Sequence, residues 1–153
     1  MNKPASAAEL KQGGAADFEP KIVAFICKWC SSAGSDLAGV SRLQYPANAV
    51  PIQVMCSGSV SPLYIFSAFN KGADGVLVSG CHPGDCHYLK GNFYARRRIY
   101  LAQKLLNFIG VEPDRFRMSW VSAAEGTKYA DVIGTFVKDI KALGPQRKLR
   151  SRA

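Results

Sequence analysis

The stretch IVAFIC, residues 22–27, is a short apolar run that ends on a cysteine. It has two counterparts downstream, IQVMC at 52–56 and VLVSGC at 76–81. Nearly continuous apolar runs of this length are expected for strands buried on both faces of a parallel sheet. As neighbours in such a sheet, their carboxyl ends meet at one edge and bring Cys27, Cys56 and Cys81 together. The two remaining cysteines arrive as Cys27-x2-Cys30 and Cys81-x4-Cys86, so all five cysteines of the chain fall in this one stretch.

Around these runs, strand alternates with helix four times, which predicts a parallel sheet covered by helices. The strands are placed at 21–27, 51–56, 75–80 and 115–121. The fourth alternates, with Phe116, Met118 and Trp120 set against Arg115, Arg117 and Ser119, and this marks an edge strand. A weak helix covers Ser31–Gln44 and stops at Tyr45-Pro46. Ser61 caps the next, Pro62 fits its first position, and Lys71-Gly72 ends it. The third carries Ala95, Ile99, Ala102, Leu105, Leu106 and Ile109 at helical spacing, up to Gly110. The last opens on Ser122-x-x-Glu125, a capping-box pattern, and ends at Gly144. Right-handed crossovers make a flavodoxin-like α/β fold the simplest assembly: about four parallel strands, strand one between two and three, and helices on both faces. Ligands of such sheets bind beyond the carboxyl ends of the strands.

At 153 residues one domain is expected. Residues 1–20 read as a flexible arm, 21–144 as the folded body and 145–153 as a flexible basic tail. The formal net charge is +9, nearly half of it in that tail. That charge balance fits acidic protein surfaces or loose nucleic-acid binding without choosing between them; the partners expected are proteins, with neither nucleic acid nor a membrane among them. The first 20 residues hold no apolar leader run, and no run nears the roughly 20 residues of a membrane span. The expected compartment is therefore the cytoplasm, where clustered cysteines mean metal or redox chemistry more often than disulfides.

Thiolates favour zinc, copper(I) and iron–sulfur clusters. Two chelating pairs match the two irons of a [2Fe–2S] cluster, which takes four cysteines. On that argument Cys27, Cys30, Cys81 and Cys86 are ligands and Cys56 is spare; the alternative keeps Cys56 and frees Cys27. His82 and His87 each follow a cysteine without the spacing of a Rieske centre. With Asp85, in the tight turn Gly84-Asp85, they are read as groups beside the ligands. Trp29 and the run Arg96-Arg97-Arg98 are candidate docking residues for a partner. The segment Ser31-Ser32-Ala33-Gly34-Ser35 is a weak phosphate cradle, and an FMN there would compete with the cysteines. The competing classes are a stand-alone flavin or dithiol redox protein, the latter on Cys27-Lys-Trp-Cys30, and a zinc-stabilised interaction module. No Ser/His/Asp set, P-loop or paired-carboxylate motif is present.

At Cys27-Lys-Trp-Cys30, AGSDLAG at 33–39, Ser41-Arg42-Leu43-Gln44-Tyr45-Pro46, Val54-Met55-Cys56-Ser57-Gly58, GCHPGDCHY at 80–88, Gly91-Asn92 with Tyr94, and Ser122-Ala123-Ala124-Glu125-Gly126, the chain resembles a known family. It is the delta subunit of methyl-viologen-reducing hydrogenase. The resemblance covers residues 21–144 and implies a [2Fe–2S] electron carrier without catalysis of its own. It implies electron transfer between a hydrogenase or formate dehydrogenase type subunit and the flavin subunit of heterodisulfide reductase.

Overall fold

The computed structural model describes residues 18–149. Most of the expected arm and the end of the expected tail therefore lie outside the described residues. Eight elements alternate: β1 (Ile22–Cys27), α1 (Ser31–Val40), β2 (Ala49–Val54), α2 (Pro62–Asn70), β3 (Gly75–Gly80), α3 (Gly91–Ile109), β4 (Phe116–Trp120) and α4 (Gly126–Leu143). The strands form one parallel sheet in the order β2-β1-β3-β4. This is the expected flavodoxin-like α/β arrangement. No helix among the described residues is long and apolar enough to cross a membrane.

The core lies in two layers because the side chains of a strand alternate between faces. Ile22, Ala24 and Ile26 of β1 and Leu77 of β3 meet Ala38 of α1 and Tyr129, Ile133, Phe136 and Ile140 of α4. Phe25, Val76 and Val78 point the other way, onto Ile65 and Phe69 of α2 and Ala95, Ile99, Ala102 and Leu106 of α3. Burying each large aliphatic or aromatic side chain contributes about 1.5–3 kcal/mol, so these two layers hold the sheet between its helices. The ends of α2 and α3 follow the sequence signals, whereas α4 starts at Gly126, four residues after the expected cap Ser122, and of the expected capping box only the bond back to the Ser122 N–H forms. Ser61 Oγ accepts from the Leu63 N–H at 3.3 Å. Glu125 Oε2 accepts from the Ser122 N–H at 2.7 Å. Gly110 takes φ 91°, a left-handed conformation that suits glycine, and closes α3.

Several expectations are corrected. The second strand runs two residues earlier at both ends, Ala49–Val54, so Cys56 lies beyond it rather than closing it, and the strand is an exposed edge rather than doubly buried: Val50 and Ile52 are exposed. Its Pro51 is tolerated because an edge strand lacks a second partner. Leu105 and Ile109, assigned to the core stripe of the third helix, are exposed. Arg115, expected as the first residue of strand four, precedes that strand and is 1% exposed. The first helix is also shorter than expected, ending at Val40. Within the basic segment after α4, Gln146 is buried and Leu149 packs on the core.

Candidate metal centre

The parallel pairing of β1 with β3 sets Ile26 opposite Ser79, so the two strands finish side by side. Cys27 is the last residue of β1 and Cys81 the first after β3, and their sulfurs lie 3.9 Å apart. A tight turn through Lys28 and Trp29 brings Cys30 back as the residue that precedes α1. The Cys27, Cys30 and Cys81 sulfurs all fall within 4.8 Å of one another. A second group forms from the two remaining thiols. Cys56 caps a short turn at Ser57–Ser59, and its sulfur accepts from the Gly58 N–H at 3.4 Å. It sits 3.8 Å from the sulfur of Cys86. All five cysteines are buried and none forms a disulfide.

Gly91, the first residue of α3, backs onto the second group. A Cβ at this position would stand 2.3 Å from the Cys56 sulfur and 3.0 Å from that of Cys86. Glycine is thus required by close approach: the backbone occupies the space a side chain would take. Two polar atoms in this region, Ser57 Oγ and Asn92 Oδ1, are buried with no hydrogen-bond partner among the described residues. Ser57 follows Cys56, and Asn92 follows Gly91. Asn92 Nδ2 donates to the His82 carbonyl at 2.6 Å.

The thiols do not ionise alike. The Cys30 thiol, with the Trp29 and Cys30 N–H groups, stabilises a thiolate at Cys27 and pulls it down to about 5. The same contact with Cys27, then burial, pushes Cys30 up. Burial pushes Cys56 up to about 11 and also raises Cys81. One negative charge is therefore accommodated, and several together are not unless a cation joins them. A thiolate-bound metal supplies that charge. Its dimensions fit as well. Metal–thiolate bonds of about 2.3 Å at a tetrahedral angle put two sulfurs about 3.8 Å apart, and the structure holds pairs at 3.8 and 3.9 Å.

The other sequence candidates surround this edge. His82 Nε2 lies 2.7 Å from Glu125 Oε2, and Lys128 Nζ is 3.3 Å from Glu125 Oε1. The Ser122 N–H and then His82 hold the Glu125 carboxyl down at about 2. His87 stacks on Trp29, with ring centroids 3.8 Å apart, and Trp29 Nε1 donates to Tyr88 Oη at 3.0 Å. That contact ties the loop after β1 to the loop after β3. Asp85 is exposed, and its N–H donates to the His82 carbonyl to close the turn. Arg96 and Arg97 are exposed, whereas the Arg98 guanidinium donates to the Gly58 carbonyl beside Cys56. The serines of the weak phosphate cradle are occupied. Ser31 is buried and accepts from Ser79 Oγ at 2.8 Å, and Ser32 accepts from Gln53 at 2.7 Å. Gly91, Ser57, Asn92 and Glu125 carry no metal signal in the sequence. Of the four, only Glu125 stands out by its own chemistry, as a helix cap.

Residues 22–144 match the family described as methyl-viologen-reducing hydrogenase, delta subunit. The chain is 47% identical over 131 residues to the iron–sulfur subunit of the F420-non-reducing hydrogenase vhc of Methanococcus voltae, a match that covers 86% of this chain and 91% of that protein. It is 47% identical over 129 residues to the iron–sulfur subunit of the F420-non-reducing hydrogenase of Archaeoglobus profundus, covering 84% and 94%. A third relative is much longer. It belongs to the ferredoxin/F420H2-dependent CoB-CoM heterodisulfide reductase of Methanosarcina acetivorans and is 47% identical over 126 residues, which make up 82% of this chain but 16% of that one.

Proposed function

This chain belongs to the methyl-viologen-reducing hydrogenase delta subunit family, and we propose that it is a [2Fe–2S] electron-transfer subunit of a soluble oxidoreductase complex, working in the cytoplasm. It would pass electrons between a hydrogenase or formate dehydrogenase type subunit and the flavin subunit of a heterodisulfide reductase type complex. The observation that carries the reading is the division of five buried thiols into a group of three and a group of two. A cluster with two irons needs two thiolates on each. Cys56 and Cys86 suit one iron. Two of Cys27, Cys30 and Cys81 suit the other, which leaves the spare sulfur within the group of three. This favours Cys56 as a ligand. A single zinc takes four ligands and would use one group and part of the other.

When bound, such a cluster takes up and releases one electron at a time and performs no hydride chemistry. The chain's own residues bury the thiols, fix two of them against Gly91, and aim the Gly58 N–H at the Cys56 sulfur, which favours its charged form. Trp29, His87 and Tyr88 line the edge with aromatic rings, and Trp29 is itself 44% exposed. Trp29, Arg96 and Arg97 would meet acidic partner surfaces. Relatives named as hydrogenase components and as a heterodisulfide reductase component support both partner classes.

The test is direct. Anaerobically purified protein should be brown, with iron and acid-labile sulfide in equal amounts and an EPR signal after dithionite reduction. Single Ser variants of Cys56 and Cys86 should each lose the signal. Of Cys27, Cys30 and Cys81, one Ser variant should retain it. A colourless zinc protein, a yellow flavoprotein, or full iron content in the Cys86 variant would overturn the reading.

A further inference from the structure

The third helix has its apolar side chains on the wrong face. Small and medium residues supply its core side: Ala95, Ile99, Ala102 and Leu106, all buried. At 3.6 residues per turn, the line opposite to them carries Phe93, Arg97, Tyr100, Leu101, Lys104 and Phe108. Tyr100, Leu101 and Phe108 are 63%, 53% and 91% exposed. The outermost line of a solvated helix is ordinarily polar. Here large apolar residues recur from Phe93 to Phe108, about 23 Å of axis at 1.5 Å per residue. Every charged residue of the helix (Arg96, Arg97, Arg98 and Lys104) is a cation, and no acidic residue lies on it.

We propose that this outer face of α3 is the standing dock for one partner protein that presents carboxylates around an apolar groove, a chain of the heterodisulfide reductase class, since in one relative the matching segment is 16% of a heterodisulfide reductase chain. The proposal rests on the carrier reading above and names a surface for it. Two notches mark where partner side chains enter. Phe93, Arg96, Arg97 and Tyr100 enclose a cavity of about 400 Å³, and Lys90, Phe93, Tyr94 and Arg97 enclose one of about 370 Å³. Each is lined by both cationic donors and aromatic rings, and a guanidinium or ammonium donor gives a partner carboxylate a charge-assisted hydrogen bond. A second copy of this chain does not complement the face, since it would set four cations against four. A lipid surface fits poorly, because Arg97 and Lys104 stand in the middle of the apolar line rather than at its flanks. Inserting Phe93 and Phe108 into a bilayer would take those charges in with them.

Position makes the dock useful. The face begins at the cysteine edge, where Gly91 touches the second pair of sulfurs, and runs away from it along the sheet. A partner seated along α3 reaches the site at one end only. Trp29 and His87 lie on loops outside the outer line of α3, so that mouth is left for a second, exchanging partner.

The experiment measures the affinity of full-length chain for the purified flavin-bearing heterodisulfide reductase component of the source cell. Tyr100→Glu with Leu101→Glu should raise Kd about 30-fold, the scale of an interface hot spot. Arg97→Glu with Lys104→Glu should raise it about 10-fold at low salt and much less at high salt. Lys138→Glu, on the exposed side of α4, should change neither. Iron per chain should match wild type in all three. Wild-type affinity in both α3 variants would overturn the dock. So would α3-dependent binding of wild type to phosphatidylglycerol vesicles, or an α3-dependent dimer in sedimentation, without α3-dependent partner binding. A chain that holds no iron yet loses its partner through the α3 changes would keep the dock and defeat the carrier reading. Full iron with no α3 effect does the reverse.

Discussion

At the amino ends of the strands, Asp74 and Arg115 are buried together and held by short hydrogen bonds; at the carboxyl ends, five thiols are buried with only long, weak bonds and one another for company. Arg115 donates from Nη1 to the Asp74 and Gly144 carbonyls at 3.1 and 2.8 Å, and from Nη2 to Leu143 at 3.2 Å. Its Nε meets Glu112 at 2.7 Å. Asp74 accepts from the backbone N–H groups of Lys21 and Gln146 at 2.9 and 3.0 Å. Of this end, the Gln146 amide alone lacks partners among the described residues. The cysteine contacts are sulfur–sulfur distances and a few long bonds: Cys27 Sγ to the Met55 carbonyl at 3.7 Å, Cys30 Sγ with Ser31 Oγ at 3.6 Å, and the Gly58 N–H to Cys56 Sγ at 3.4 Å, with the Trp29 and Cys30 N–H groups turned toward Cys27. Buried polar groups with complete hydrogen bonds hold a fold together. Buried ionisable groups without them are provision for something that binds.

The largest test of that contrast is Arg115→Ala. Removing one member of a buried charged network costs about 3–5 kcal/mol, because the Leu143 and Gly144 carbonyls at the end of α4 lose their donors. Urea unfolding of the apo chain should show that loss, while the folded fraction still takes up its full iron. A cost under about 1 kcal/mol, or iron loss without loss of stability, would erase the distinction between the two ends.

How much of this was legible in the sequence follows the same division. β1 and β3 were readable because central strands of a parallel sheet are apolar on both faces, and their order followed from crossover handedness. IQVMC carried the same apolar signal, yet it became an exposed edge. The one residue that announced this was Pro51, which cannot serve a central ladder. The third helix carries apolar residues on its core side, its flank and its outer line, so periodicity admitted too wide a core stripe, and Leu105 and Ile109 fall on the flank beside it, exposed. Arg115 was misplaced because strand alternation was extended one residue too far. The five cysteines were readable as one cluster, since each ends or follows a strand. Their division into three and two was not, because it depends on how two loops fold back and on the space Gly91 leaves open.

Gly91→Ala probes that space with a smaller effect. Its Cβ would overlap both sulfurs of the second pair, so Cys56 or Cys86 must turn away. Overpacking of this kind costs about 1–3 kcal/mol, and a short side chain that can rotate keeps it toward the low end. The variant should fold with a modestly lowered urea midpoint yet retain little iron, the reverse of Arg115→Ala. Full iron content would show that Cys56 and Cys86 are not held in place for a metal, and would return the site to the group of three.

The smallest effect is expected at Glu125→Gln, which touches the cysteine edge without entering it. Gln keeps an acceptor for the Ser122 N–H but loses the charge that faces His82 and Lys128. In the folded chain the Glu125 carboxyl is lowered from 4.5 to about 2, first by that N–H and then by His82. A depressed carboxylate stabilises the fold above its unfolded value of 4.5, and the contribution is lost as pH falls toward about 2. Wild-type apo protein should therefore exceed the variant slightly in urea midpoint at neutral pH, with the gap closing through that acid window. His82 follows Cys81 directly, so a loosened His82 should also shift the EPR line shape of the reduced protein without lowering its iron content. A gap that stays constant down to about pH 2, or an iron loss as large as that of Gly91→Ala, would place Glu125 among the groups that hold the thiols rather than beside them.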